Sequence, residues 1–280
     1  MNSSYDFYNE RKLAEGYPNL HELAHKEFSH EMSLKPDDSP HIERLVTYIG
    51  RLVDLSESRE ILVLGCGPHP QPMLILTRMG HRVVGVEPVQ SFVETARQYL
   101  DAPASVLTGS AEHIPLPDNS QEIVFFESVL EHVDSIPQSL EEIYRVLAPG
   151  GVLYLTTTNR HRFSLKGENG EYNVPFYNWF PRLVKEGYIF EHLHYNPKLA
   201  NYSLRPAVHW LSFTDLCRLG RDAGFAQFYS NVDLMQISDP RIAKSRLRRT
   251  FLPYVQRNPW LRALVLTQTG HVIFMLKRKQ

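Results

Sequence analysis

The sequence is poor in cysteine, in net charge and in long apolar runs. Cys66 and Cys217 are the two cysteines among 280 residues, and they lack metal-ligand spacing, which disfavours a disulfide framework or a zinc site. The formal net charge is −1, so no overall field attracts nucleic acid or an anionic membrane. No apolar run approaches the length of a membrane span, and the polar first residues do not resemble a signal peptide. We therefore expect a reducing, cytoplasmic location.

Short apolar runs alternate with amphipathic segments over residues 56–158. The predicted strands read EILVLG, RVVGVE, ASVLTG, EIVFFE and GVLYLTTT. The predicted helices read PQPMLILTRMG, SFVETARQYL and SLEEIYRVL, and Ser91 and Glu94 have capping-box spacing. Strands that alternate with helices predict right-handed crossovers and a parallel sheet covered on both faces.

Three further segments flank this core. Residues 1–55 predict a helical segment whose clearest helix is SPHIERLVTYIGRLVDL. The alternation stops over residues 159–210, which is too long for an ordinary connection and predicts an insertion. Residues 211–280 complete the core with the helix FTDLCRLGRDAGF and the strands AQFYSNVDLM and HVIFMLKRK.

The ends of the first two strands carry the residues that suggest a ligand. Gly65 and Gly67 follow the first strand, and glycines there let the backbone approach a bound molecule. Glu87 ends the second strand, where a carboxylate can accept hydrogen bonds from ribose hydroxyls. A plain turn and a solvated glutamate are the alternatives. NAD would use the same two features, but its fingerprint requires a small residue where this chain has Pro70.

Several ordered motifs resemble one family. ILVLGCG, VVGVE, GSAEHIPLPDNSQEIVFFESVLEHV and LEEIYRVLAPGGVLYLTT occur in the order and spacing of class I S-adenosylmethionine-dependent methyltransferases. The resemblance covers about residues 58–160 and is strongest to enzymes of the ubiquinone and menaquinone pathways. It implies a doubly wound, seven-stranded, mostly parallel α/β sheet with an antiparallel last strand, and S-adenosyl-L-methionine as the cofactor.

The resemblance also implies the cofactor's neighbours. Gly65 and Gly67 would lie against the methionine part, and Glu87 would hold the ribose. The adenine would be flanked by Ser110, Ala111 and Glu112, and the methyl-bearing end would be lined by Glu127 and Ser128. The chain departs from the family at Val63, where an acid is frequent, and at Ser110, where aspartate is common.

Methyl transfer is an in-line displacement, so the protein mainly aligns the reactants and excludes water. A hydroxyl acceptor also benefits from a base, and the candidates are His132, His192 and His194. His192 and His194 would share one side of an extended chain, as a base, a substrate contact or a surface pair. For Glu131 we favour a structural role, in which its side chain caps a backbone group or pairs with Arg145.

No metal is predicted. Some relatives bind a divalent metal through E-x-x-E-H, a pattern that Ser128 interrupts here. The insertion instead supplies aromatic residues that would roof the site, so we expect a small or medium-sized molecule as the acceptor, and neither nucleic acid nor a large protein. The oligomeric state is not readable from the sequence.

A basic run precedes the last strand. It contains five cations, which are Arg241, Lys244, Arg246, Arg248 and Arg249. They could bind an anionic lipid surface or an acidic substrate, although such a run is more often a solvated helix face.

The favoured function is methyl transfer to a hydroxyl oxygen. The alternatives are a nicotinamide-dependent oxidoreductase on the same fold and a non-catalytic, methyltransferase-like scaffold.

Overall fold

Seven strands form one sheet in the computed structural model. The structure describes residues 11, 12, 14–16, 39–102, 104–163, 177–181, 184, 187–193 and 207–279. The strands are β1 Glu60–Leu64, β2 Arg82–Glu87, β3 Ser105–Thr108, β4 Gln121–Glu127, β5 Leu147–Thr157, β6 Gln227–Ser230 and β7 His271–Leu276. Their order is β3-β2-β1-β4-β5-β7-β6, with β7 antiparallel to both of its neighbours. The predicted doubly wound sheet with an antiparallel last strand is confirmed.

Helices connect the strands and cover the sheet. They are α1 Ser39–Ile49, α2 Gln71–Arg78, α3 Gln90–Arg97, α4 Ile136–Val146, α5 Phe213–Asp222, α6 Asn231–Leu234, α7 Pro240–Ala243, α8 Arg246–Arg257 and α9 Pro259–Leu266. Of the helices in the described parts of the chain, not one combines the length and the apolar character that a bilayer span needs.

The core consists of two apolar layers, one on each face of the sheet. Leu62 and Leu64 of β1 belong to one layer, and Ile61 and Val63 belong to the other, because successive strand residues point to opposite faces. The first layer includes residues of α4 and α5, and the second includes residues of α1, α2 and α3. A strand buried on both faces reads as a continuous apolar run, which explains why the parallel strands were predictable.

Several predicted element boundaries are wrong, and three of these differences have a clear cause in the structure. Helix α1 ends at Ile49 rather than continuing to Leu55, and turns follow from Gly50. Ser91 does not cap α3, because this helix begins at Gln90 and Ser91 lies inside it. The predicted strand AQFYSNVDLM ends at Ser230, since Ser230 and Asp233 form a capping box that starts α6.

Candidate functional site

The turn after β1 is built from two glycines in the left-handed region. Gly65 has φ +68° and Gly67 has φ +64°. A Cβ at Gly65 would lie 2.4 Å from Cγ2 of Val129, whereas a Cβ at Gly67 would meet nothing within 4 Å. Gly65 is therefore required by packing against the turn after β4, and Gly67 leaves space beside the turn for a bound molecule.

Glu87 joins this turn to the end of β2. Its side chain is buried, and its Oε2 accepts a hydrogen bond from the amide of Gly67 at 3.1 Å. Its Oε1 accepts one from the amide of Val89, also at 3.1 Å. A carboxylate can accept about four hydrogen bonds, so these two amides orient it without excluding hydroxyl donors. An acid held next to a glycine turn fits the ribose and methionine parts of the predicted cofactor.

Cys66 lies between the two glycines. Burial raises the pKa of its thiol, and the negative charge of Glu87 adds to the effect. A thiol in this environment stays protonated, so Cys66 is a packing residue rather than a nucleophile. Both Cys66 and Cys217 are free thiols.

The loop after β3 carries the three residues predicted to flank adenine. Ser110 forms an isolated backbone bridge with His113, and Ala111 is buried in the core. The carboxylate of Glu112 points to the start of α4, where it accepts hydrogen bonds from the amides of Asp134 at 2.8 Å and Ser135 at 3.3 Å. The carboxylate thus braces the loop, and the adenine contact of these residues stays a prediction.

Ser128 follows β4 in an uncommon conformation. Its φ is +54°, which few residues other than glycine adopt. Its amide donates to the carbonyl of Thr156 at 3.2 Å and to the hydroxyl of Thr156 at 3.0 Å, both on the neighbouring strand β5. Such backbone strain clusters at functional sites. The turn therefore supports the predicted role of this strand end.

Glu127, the last residue of β4, is held by groups from two other elements. Its Oε1 accepts a hydrogen bond from the hydroxyl of Tyr154 at 3.2 Å and lies 3.0 Å from Nε2 of His41 in α1. Arg44 lies 2.9 Å from Nδ1 of His41. Because a guanidinium only donates, Nδ1 is the acceptor, and Nε2 carries the proton that points at Glu127. Burial and the Glu127 charge raise the pKa of Tyr154, which keeps its hydroxyl a donor.

No local sequence pattern indicates the part that His41 plays. His41 and Glu127 are 86 residues apart, and they meet because α1 packs on the sheet beside the ends of β4 and β5. A histidine near the start of an amphipathic helix has no pattern that names its partner. The contact brings the N-terminal segment into the site.

Glu131 has the structural role that was favoured. It is buried in the short 3-10 turn Leu130–His132, and its Oε2 accepts a hydrogen bond from the hydroxyl of Thr157 at 2.9 Å. The alternative pairing with Arg145 is wrong, because Arg145 binds Glu142 and Asp118, both at 2.7 Å. His132 follows in the same turn and is half-buried.

The histidines of the insertion are only partly described. Residues Ile189–Leu193 form one π-helical turn, so the proposed extended arrangement of this stretch is wrong there. His192 is exposed, and its ring centroid lies 5.2 Å from that of Tyr188. Glu191 pairs with Lys12 at 3.2 Å and with Arg11, which ties this turn to the N-terminal segment. His194 lies outside the described residues.

Two negative observations limit the site. Within the described ranges, no three His, Cys, Asp or Glu side chains lie together in a way that would hold a metal ion. The absence of a metal stays a prediction.

A surface depression beside the start of α4 is lined by residues of the 112–115 loop and of α4, but not by the glycine turn or Glu87. It therefore does not include the strand ends at which we predict the ribose and methionine parts of the cofactor.

His271 begins β7 opposite Thr157, at the same edge of the sheet. It is buried, and this burial lowers its pKa to about 4, while its Nε2 donates to the carbonyl of Leu211 at 2.9 Å. In the unfolded chain His271 binds a proton near pH 6.5, whereas in the folded protein it binds one only near pH 4. Stability therefore falls as the pH falls through this window, by about 3 kcal/mol in total from this residue.

We expect His271→Gln to flatten that pH dependence. The free energy of unfolding in urea, measured between pH 7 and pH 4.5, should decline less steeply in the variant, by up to about 1.4 kcal/mol per pH unit. Parallel curves for the two proteins would show that His271 titrates alike in the folded and unfolded chains.

Comparison with known proteins identifies the central segment. Residues 62–155 match the family described as a methyltransferase domain. A malonyl-[acyl-carrier protein] O-methyltransferase from Serratia marcescens is 33% identical over 110 residues, which are 38% of this chain and 42% of the relative. A trans-aconitate 2-methyltransferase from Paracidovorax citrulli is 30% identical over 102 residues, or 36% and 39% of the two chains. The chain spans less than half the length of these relatives.

Solved structures share the fold at low identity. An S-adenosylmethionine-dependent methyltransferase from Mesorhizobium loti has a TM-score of 0.54 at 12% identity, covering 86% of this chain and 98% of its own. Phosphoethanolamine N-methyltransferase 2 from Haemonchus contortus, solved with S-adenosyl-L-methionine, has a TM-score of 0.51 at 15% identity, covering 85% and 53%. The likeness to quinone-pathway enzymes stays a prediction. Residues 62–155 therefore form a methyltransferase domain, and the chain has the fold of S-adenosylmethionine-dependent methyltransferases.

Proposed function

We propose that this protein is a cytoplasmic enzyme that transfers a methyl group from S-adenosylmethionine to a hydroxyl oxygen of a small or medium-sized molecule. The observation that carries the proposal is the unit formed by the Gly67 amide and the Glu87 carboxylate, at 3.1 Å, where β1 and β2 end. The Serratia relative is named as an O-methyltransferase, which supports an oxygen acceptor.

Each part of the site would meet one part of the cofactor. Glu87 would accept hydrogen bonds from the ribose hydroxyls, and the open side of Gly67 would leave room for the methionine part. Glu127, held by His41 and Tyr154, would present a negative charge to the positively charged end. When bound, the cofactor supplies a methyl group activated by a sulfonium. The residues of this chain would orient it and keep water out.

His132 is our candidate for the base that takes the acceptor's proton. It lies in the turn that follows Glu127 and Ser128, and it is half-buried rather than solvated. We expect His132→Gln to lower turnover about a hundredfold, at the lower end of what general bases contribute. The comparison is His192→Gln, since His192 is exposed. Initial rates at saturating acceptor, taken from a screen of hydroxyl compounds, measure the effect.

Cofactor affinity separates a base from a cofactor contact. If His132 acts on the acceptor, His132→Gln leaves the dissociation constant of S-adenosylhomocysteine within about threefold of the wild-type value. Full activity of this variant would remove His132 from the proposal. His192 is then the next candidate if His192→Gln loses activity, and His194 is the next candidate if it does not.

Binding isotherms decide between the proposed function and its alternatives. Titration with S-adenosylmethionine, S-adenosylhomocysteine and NAD should show binding of the first two alone. Tighter binding of NAD would favour the oxidoreductase. Binding of the first two without release of S-adenosylhomocysteine across the acceptor screen would favour the non-catalytic scaffold.

A further inference from the structure

Helices α8 and α9 expose apolar side chains that nothing in the described protein covers. On α8, Leu247, Phe251 and Tyr254 recur at helical spacing and share one exposed face, with Phe251 53% exposed. On α9, the exposed apolar residues are Trp260, Leu261, Leu264 and Val265, and Trp260 is 84% exposed. Helix α9 has no fully buried residue. Exposed apolar residues concentrated on two consecutive helices indicate an interaction site.

The same helices carry only positive charge. No aspartate or glutamate follows Asp239 in the sequence, while the stretch from Arg241 to Arg262 contains seven arginine and lysine residues. Arg246, Arg249 and Arg257 of α8 are exposed, and they form no ion pair within the described part of the chain. The protein as a whole is close to neutral, so this positive charge is local.

The two helices are held firmly to the fold. The side chain of Gln256 donates to the carbonyls of Val232 and Met235, both at 2.9 Å, and Arg262 pairs with Asp233 at 2.7 Å. Asn159, which follows β5 closely, donates to the carbonyl of Leu266 at 2.8 Å. The exposed face is therefore fixed in position, next to the edge of the sheet that carries the candidate site.

We propose that this surface, the exposed apolar residues of α8 and α9 with Arg246 and Arg257 beside them, docks the protein on an anionic lipid bilayer. Apolar and aromatic side chains flanked by cations match the acyl boundary and the negative headgroups of such a membrane. A second copy of this chain fits less well, because a two-fold interface would bring the same positive surfaces together. Nucleic acid also fits less well, since four of these seven exposed residues are leucine or valine, which do not stack on bases.

Sedimentation of the full chain with sucrose-loaded vesicles tests the proposal. We expect binding to vesicles of phosphatidylcholine with 30% phosphatidylserine, at least tenfold weaker binding to pure phosphatidylcholine, and weakening in 0.5 M NaCl. The variant Arg257→Gln/Trp260→Ser should lose at least tenfold in affinity for the anionic vesicles. The matched control is Arg78→Gln/Met79→Ser, which alters an exposed cation and an exposed apolar residue at the end of α2 and should bind as the wild type does.

Three results would overturn the proposal. One is no binding of the wild type to anionic vesicles at millimolar lipid. Another is equal loss in the two double variants, with unchanged circular dichroism and melting temperature. The third is a wild-type dimer in sedimentation equilibrium that Arg257→Gln/Trp260→Ser converts to a monomer, without vesicle binding by either protein. That last result would assign the surface to a second copy of the chain.

Discussion

Glu87→Gln should weaken the binding of S-adenosylhomocysteine more than a hundredfold. The carboxylate would lose two charge-assisted hydrogen bonds to the ribose, each worth about 1.5 to 3 kcal/mol. The amide of glutamine would also place an NH₂ group against the amide of Gly67 or Val89, both of which are donors. Donors that face each other would push the glycine turn out of position. Isothermal titration measures the loss.

A second glutamate controls for the loss of charge. Glu94 is exposed on α3, where it accepts a hydrogen bond from Gln90 at 3.0 Å. Glu94→Gln should bind S-adenosylhomocysteine as the wild type does. A Glu87→Gln protein that folds and binds within threefold of the wild type would refute the ribose assignment, since a neutral side chain would then serve equally well.

Gly65→Ala should destabilise the protein by about 2 to 5 kcal/mol. A left-handed conformation costs an alanine about 1 to 2 kcal/mol. The new Cβ would also lie 2.4 Å from Cγ2 of Val129, an overlap that forces a shift costing about 1 to 3 kcal/mol. Gly67→Ala is the matched control, because its φ is similar but its Cβ meets nothing within 4 Å. Gly67→Ala should lower the free energy of unfolding only by the cost of the left-handed conformation, about 1 to 2 kcal/mol.

A double variant isolates the overlap. Val129→Ala removes the methyl group that the new Cβ would strike, so Gly65→Ala/Val129→Ala should be more stable than the sum of the two single effects predicts. The coupling should be about 1 to 3 kcal/mol in urea denaturation. Equal costs for Gly65→Ala and Gly67→Ala, together with strict additivity in the double variant, would mean that the turns after β1 and β4 do not touch.

The parallel strands were readable from the sequence because burial on both faces leaves continuous apolar runs. The capping-box pattern was a weaker guide, and two occurrences of it gave opposite outcomes. Ser230 and Asp233 do cap α6, and reading them would have ended the predicted strand correctly. Ser91 and Glu94 have the same spacing, but Glu87 already binds the amide of Val89 and the helix begins at Gln90. The pattern alone does not reveal which residue precedes the helix.

The candidate site was readable only in part, for a physical reason. Gly65, Gly67 and Glu87 lie at strand ends, and the sheet brings those ends together. The contact between His41 and Glu127 depends on how α1 packs, and the direction of the Glu112 carboxylate depends on the amides of Asp134 and Ser135 just before α4. The exposure of Trp260 depends on which face of α9 the fold covers. Such tertiary contacts leave no local pattern.

A crystal structure with S-adenosylhomocysteine would test whether a nucleoside occupies the edge formed by β1, β2 and β4. We expect both ribose hydroxyls within about 3 Å of the Glu87 carboxylate and the amino-acid part beside Gly67. Clear density for the ligand elsewhere, or for a ribose that does not touch Glu87, would contradict the assignment of this edge as the site of the methyl donor.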